Sequence, residues 1–108
     1  MKSIELAAFL GGLVLCSAAA ASTELAQAKQ CMQCHKVKEA FAGPSFHEIA
    51  QARKGQRDAM TKMVVTIRRG SNATGGPHWG AATMPDMKER PEVSQAEART
   101  LAKWILKQ

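Results

Sequence analysis

The segment Cys31-Met32-Gln33-Cys34-His35 constrains this chain more than any other feature. It sets two thiols one helical turn apart and puts an imidazole on the very next residue. A disulfide between two such thiols would close almost no loop and would stabilise little. The rest of the chain nevertheless needs a staple. The first 21 residues read as a secretory signal: Lys2, an apolar run from Leu6 to Leu15 too short to span a bilayer, then small residues from Ser17 to Ser22. Cleavage near Ala21 divides the chain into a leader, 1–21, and a domain, 22–108. Cys16 follows Leu15, which is too large for a lipoprotein box, and reads as an apolar filler of the leader. The domain keeps only Phe41, Phe46, Trp79 and Trp104 as aromatic mass. A chain this short buries only about 60% of its unfolded surface, so a cofactor or metal is expected to complete the core.

The pentapeptide says which. C-x-x-C-H is the attachment motif of covalent haem: each thiol can add to one of the two vinyl groups on a haem edge, and the following imidazole then faces the iron. Two thioether bonds retain the cofactor through any loosening of the fold, which suits an exported protein. A thioredoxin-like C-x-x-C would need a βαβ pattern around it, and none is present. A structural zinc site would need a second ligand pair with its own spacing, and only His47 and His78 remain.

Along the domain every strong signal is helical. Thr23 to Gln30 reads as a short helix leading into Cys31. Ala42-Gly43-Pro44 breaks the chain, and Ser45 caps a brief helix through Phe46, Ile49 and Ala50, with Gln51 to Gly55 as a polar link. Met60, Met63, Val64 and Ile67 fall at i, i+3, i+4 and i+7 within a helix over Gln56 to Arg69 that Gly70 stops. A long loop, Ser71 to Pro91, is rich in Gly and Pro, and a loop of that length is functional or disordered as a rule. Ser94-x-x-Glu97 is a capping box, followed by Ala98, Leu101, Ala102 and Ile105 on one face. No segment alternates with period two, so the expected fold is all-α.

The net charge of +6 survives removal of the leader, because Lys2 and Glu5 leave together. Nucleic acid is no partner for an exported domain with no aromatic-interleaved basic stripe. An acidic redox protein and a merely solvated surface both fit the charge, which alone does not choose between them; Lys36 and Lys38 directly after the haem motif would place positive charge near the haem edge.

Iron in an electron carrier takes six ligands, so a second axial group is expected besides His35. Met60 and Met63 belong to the apolar stripe of their helix and read as core. Met32 lies inside the motif and cannot turn back onto the iron, and His47 reads as a solvated surface residue. His78, Met84 and Met87 remain. Met84 is favoured by context, since it follows a Gly-rich stretch and precedes Pro85, which would stiffen the segment presenting the sulfur.

These residues resemble a known family, the class I c-type cytochromes, and within it the short bacterial monohaem kind that donate electrons to periplasmic nitrite reductases and oxidases. The resemblance runs from about Leu25 to Gln108. It rests on the pentapeptide, on Gly43-Pro44-Ser45-Phe46, on Arg69-Gly70-Ser71, on Trp79-Gly80 with Met84-Pro85 after it, and on Leu101-Ala102-Lys103-Trp104-Ile105-Leu106. It implies a small fold with N- and C-terminal helices packed around one covalently bound haem c. Cys31 and Cys34 are then similar to the thioether residues, His35 to the proximal ligand and Met84 to the distal one. Pro44 is similar to the residue whose carbonyl accepts the other N–H of that imidazole, Trp79 to an indole that donates to a haem propionate, and Trp104 to the aromatic at the crossing of the terminal helices. Three positions depart from the family pattern: Gln30 stands where the family usually has Gly, Ala26 where it has an aromatic, and Thr83 where it commonly has Pro; the loop Ser71 to His78 is also longer than in its relatives.

With both axial positions filled, the iron offers no site to a small substrate. The expected function is a monomeric periplasmic one-electron carrier, not an enzyme, with redox proteins as partners and no stable membrane anchor. The alternative is a haem subunit of a larger periplasmic oxidoreductase.

Overall fold

The computed structural model describes residues 17–108. The apolar run of the leader and Cys16 lie outside the described residues. Among the described residues four α-helices follow one another: α1, Ser17–Ala28; α2, Phe46–Arg53; α3, Ala59–Arg69; and α4, Gln95–Leu106. Short 3-10 turns occupy Cys31–Gln33 and Ser71–Thr74. Among the described residues there is no strand, only one isolated bridge between Trp79 and Ala82. No described helix is long and apolar enough to cross a membrane. The all-α expectation holds.

Local chemistry explains where the helices begin and end. The Ser-x-x-Glu signature occurs twice, and both copies form full capping boxes. The Ser45 hydroxyl accepts from the Glu48 amide and the Glu48 carboxylate from the Ser45 amide; Ser94 and Glu97 repeat the pattern at α4. Where no such box exists the boundaries shift. The structured part of α3 starts at Ala59, later than Gln56, because Asp58 supplies no side-chain cap and the Gln56 amide turns back to the Ala52 carbonyl. Helix α2 runs on to Arg53, since polar side chains on its solvent face do not interrupt helical hydrogen bonding. Helix α1 takes in residues before Thr23 and ends at Ala28, because Gln30 adopts a left-handed conformation with φ 65°.

Helix α4 is the hub, packing against α1, α2 and α3. Its buried face is Ala98, Leu101, Ala102 and Ile105, the stripe expected from its spacing, and it meets Met63, Val64 and Ile67 of α3, Phe46 of α2 and Ala26 of α1 in one core. Ala26, Ala98 and Ala102 have no exposed surface. Small side chains there let α1 and α4 come close. Burying Leu101 and Ile67 fully contributes roughly 1.5–3 kcal/mol each. Polar ties surround the core. Lys29 donates to the Glu92 carbonyl at 2.8 Å and pairs with Glu97 at 3.3 Å, joining the end of α1 to the start of α4. Arg68 reaches from α3 to the Val93 carbonyl and to Gln95, each at 3.1 Å.

Candidate functional site

The C-x-x-C-H segment follows α1 as one 3-10 turn. The amides of Cys34 and His35 both donate to the Cys31 carbonyl, at 3.2 and 3.0 Å. This winding puts both cysteines on a single turn with His35 directly after it. The thiols are free, that of Cys34 exposed and that of Cys31 half-buried. Burial pushes the Cys31 thiol up, against the opposing influence of the Arg90 charge.

His35 is buried, and its Nδ1 lies 2.7 Å from the Pro44 carbonyl oxygen. A carbonyl can only accept, so Nδ1 carries the proton, and the neutral ring keeps its lone pair on Nε2. Burial lowers the basicity of the ring, with the Pro44 contact pulling the other way, which favours the neutral, metal-binding form. The ring is boxed in. Phe46 stacks on it with centroids 5.2 Å apart and planes 23° from parallel, and Trp104 of α4 meets the Phe46 edge, also at 5.2 Å. On another side Gly43 comes so close that a Cβ there would stand 3.1 Å from Cε1. The Gly43-Pro44-Ser45-Phe46 run thus shapes the surroundings of one imidazole: clearance, hydrogen bond, helix cap and stacked ring.

The Met84 segment is seated on the end of α3. Gly70 has φ 88°, and a Cβ on it would collide with the Met84 carbonyl at 2.6 Å. The next residue, Ser71, is buried; its amide donates to the Met84 carbonyl at 3.1 Å and its hydroxyl accepts from the Met84 amide at 3.0 Å. The Ser71 carbonyl in turn accepts from Gly76 at 2.9 Å and from the Thr74 hydroxyl at 3.2 Å. Met84 itself is half-buried, as are Trp79 and Met87. His78 is exposed, with Nε2 3.0 Å from the Thr74 hydroxyl. His47 is exposed and donates through Nδ1 to the Gln108 carbonyl at 2.8 Å. Met63 is core; Met60 and Met32 are half-buried against it.

Two residues at the site carried no local signal of their role. The hydroxyl of Ser71 acts thirteen residues away in sequence. Arg90, an unremarked cation in a polar loop, is half-buried, donates through Nε to the Pro85 carbonyl at 2.9 Å and also donates to the Ile67 carbonyl.

The donor set fits a covalently held haem. Two free thiols on one turn stand beside a buried imidazole, whose Nε2 has no hydrogen-bond partner among the described residues. A bare structural ion fits poorly, because no three His, Cys, Asp or Glu side chains among the described residues gather around one point.

Comparison with known proteins agrees with this chemistry. The family model described as "Cytochrome c" matches residues 19–108. Cytochrome c-552 of Hydrogenobacter thermophilus is 34% identical over 106 residues, covering 98% of this chain and 97% of that protein. Cytochrome c-551 of Pseudomonas denitrificans is 37% identical over 83 residues, 77% of this chain and 92% of the relative. Among solved structures, wild-type Nitrosomonas europaea cytochrome c552 superposes with a TM-score of 0.68 at 34% identity, covering 79% of this chain and 96% of that one.

Proposed function

This chain belongs to the cytochrome c family as a small class I member, an electron carrier with one haem c bound covalently through Cys31 and Cys34, and from there we propose that His35 and Met84 are its axial ligands and the periplasm its place of work. One observation carries the ligand reading. The His35 ring, next to both thiols, gives its only N–H to Pro44 and keeps Nε2 free as a donor.

When bound, the haem supplies a one-electron ferric–ferrous couple. The chain's own residues decide how that couple behaves. Pro44 holds the imidazole in one tautomer and one orientation, the usual task of a group behind a ligating histidine. Phe46 and Gly43 leave the ring little freedom to turn. The Met84 thioether, on a segment held by Ser71, would favour the ferrous form and raise the potential. The Trp79 indole, half-buried at the start of that segment, is assigned a haem propionate as acceptor. With His35 and Met84 both holding the iron, it would offer no site to a substrate, and the chain would transfer electrons without catalysing a reaction of its own. Residues 1–21 are assigned to a cleaved leader, which leaves 22–108 as a monomeric domain without an anchor. Lys36 and Lys38, both exposed beside the haem motif, meet acidic surfaces on redox partners.

The test is an optical redox titration of the holoprotein isolated from a periplasmic extract, with its mass and native size. The expected result is a monomer beginning near Ser22, with a single one-electron transition and a sulfur-to-iron charge-transfer band in the ferric state. A chain that keeps residues 1–21 in the membrane fraction overturns the location, and a ferric spectrum without that band overturns the Met84 ligation.

A further inference from the structure

The loop after Met84 folds back on itself. Asp86 makes the turn: its carboxylate accepts from the Lys88 amide at 2.8 Å and its carbonyl from the Glu89 amide at 3.2 Å. That reversal brings Arg90 back to the residue it left. Its Nε donates to the Pro85 carbonyl at 2.9 Å, directly after Met84, while Nη2 donates to the carbonyl of Ile67 in the last turn of α3. Ile67 is core, and its carbonyl belongs to the helix end whose next residues, Gly70 and Ser71, already seat Met84. One guanidinium therefore spans the two elements whose separation would release the sulfur.

The same guanidinium is hydrogen-bonded to the carbonyl directly after Met84. With Met84 on the iron, a fixed positive charge would stand one residue from that ligand. A half-buried cation is screened less than a surface lysine. A positive charge near the iron disfavours the more positive, ferric state.

We propose that Arg90 is a positioning residue for the axial Met84, clamping Pro85 to the end of α3, and that its charge biases the iron toward the ferrous state. The inference rests on the reading of Met84 as ligand. Lysine cannot replace the clamp, because its single ammonium lacks the planar fork that reaches two carbonyls in fixed directions. Lysine does keep the charge.

These two properties separate in the holoprotein. Imidazole added to the ferric form competes with Met84, and its affinity reports how firmly the sulfur is held. Arg90→Gln is expected to bind imidazole about tenfold more tightly than the parent, the effect of losing a charge-assisted hydrogen bond, and to shift the ferrous-to-ferric ratio several-fold toward ferric at a fixed ambient potential. Arg90→Lys is expected to bind imidazole more tightly as well, yet to keep that ratio within about twofold of the parent. An imidazole affinity within twofold of the parent in Arg90→Gln overturns the clamp. An unchanged ratio in Arg90→Gln overturns the charge effect. If Arg90→Gln yields no folded holoprotein, Arg90→Lys decides the clamp by the same imidazole criterion. Met84→Ala distinguishes the two layers. If the charge-transfer band survives that change, the ligand reading fails; if it disappears while Arg90→Gln behaves as the parent, only the role of Arg90 fails.

Discussion

Ser71 grips the backbone of Met84 on both sides, its amide on the Met84 carbonyl at 3.1 Å and its hydroxyl under the Met84 amide at 3.0 Å. Ser71→Ala removes the acceptor and leaves the Met84 amide unpaired in a half-buried place. An orphaned group of this kind costs roughly 1–3 kcal/mol. The expected outcome is a ferric holoprotein that folds, loses its charge-transfer band at a lower temperature than the parent, and melts by circular dichroism with a smaller shift. Thermal scans followed at both wavelengths check this.

The sixth ligand is tested by exchanging the two methionines of the loop. Met84→Ala should abolish the charge-transfer band and lower the potential, within the roughly 0.8 V that axial ligands span. Met87→Ala should leave both nearly unchanged. The reverse pattern, read in the same ferric spectra and redox titrations, would move the ligand to Met87.

Gln30 pays for its left-handed backbone at φ 65°. That conformation costs a non-glycine residue about 1–2 kcal/mol, part of which glycine gives back through the greater freedom of its unfolded chain. Gln30→Gly is therefore expected to stabilise the protein by about 0.5–1 kcal/mol, measured as a shift in the denaturant midpoint at constant slope. Gln30→Ala should show no such gain.

The Glu97 carboxyl is held below its ordinary value, chiefly by the Ser94 amide and then by Lys29. A carboxyl with a lowered folded pKa stabilises the protein when ionised, above its unfolded value, and that contribution is lost as the pH falls through its folded value. Glu97→Gln should therefore lower the melting temperature at neutral pH and make little difference in strong acid. Melting curves of both proteins across that range are expected to converge on the acid side. A constant gap at every pH would mean that the glutamine loses packing and not charge.

Lys36 lies 4.9 Å from the centre of the Phe41 ring, and Phe41 is 58% exposed, the large apolar side chain left most open to solvent among the described residues. Exposed charges steer encounters more than they add affinity, and they are screened over about 10 Å at 0.1 M salt. Electron transfer to an acidic partner should slow several-fold between low and physiological salt. Lys36→Glu with Lys38→Glu should lower the low-salt rate and flatten that dependence while hardly moving the potential. Stopped-flow rates over a salt series check it. Indifference to salt would assign docking to the apolar surface around Phe41.

What could be read from the residues alone depended on how far each signal acts. The Ser45 cap, the Ser94–Glu97 capping box, the α4 stripe and the Gly70 stop are short-range devices, and each appears where its spacing put it. The pentapeptide is equally local, which is why the haem was legible. Helix ends without a cap were misplaced, because backbone conformation at Gln30 and the turned-back side chain of Gln56 leave no composition signal. The hold on Met84 was invisible for a different reason. Ser71 and Arg90 act on a distant backbone through hydrogen bonds that any serine or arginine can make, and only tertiary structure says which one does.

The same grip has an evolutionary consequence. Residues 72–83 form a ring fastened at its base, and both fasteners, Ser71 and the Met84 backbone, belong to the base and not to the ring. Closing a longer ring costs only about 0.6 kcal/mol for each doubling of its length. Insertions and deletions that spare Thr74, Gly76 and Trp79 can accumulate there without shifting the sulfur. One rim of the molecule, and with it the choice of partner, is thus open to remodelling while the backbone that presents Met84 stays in place.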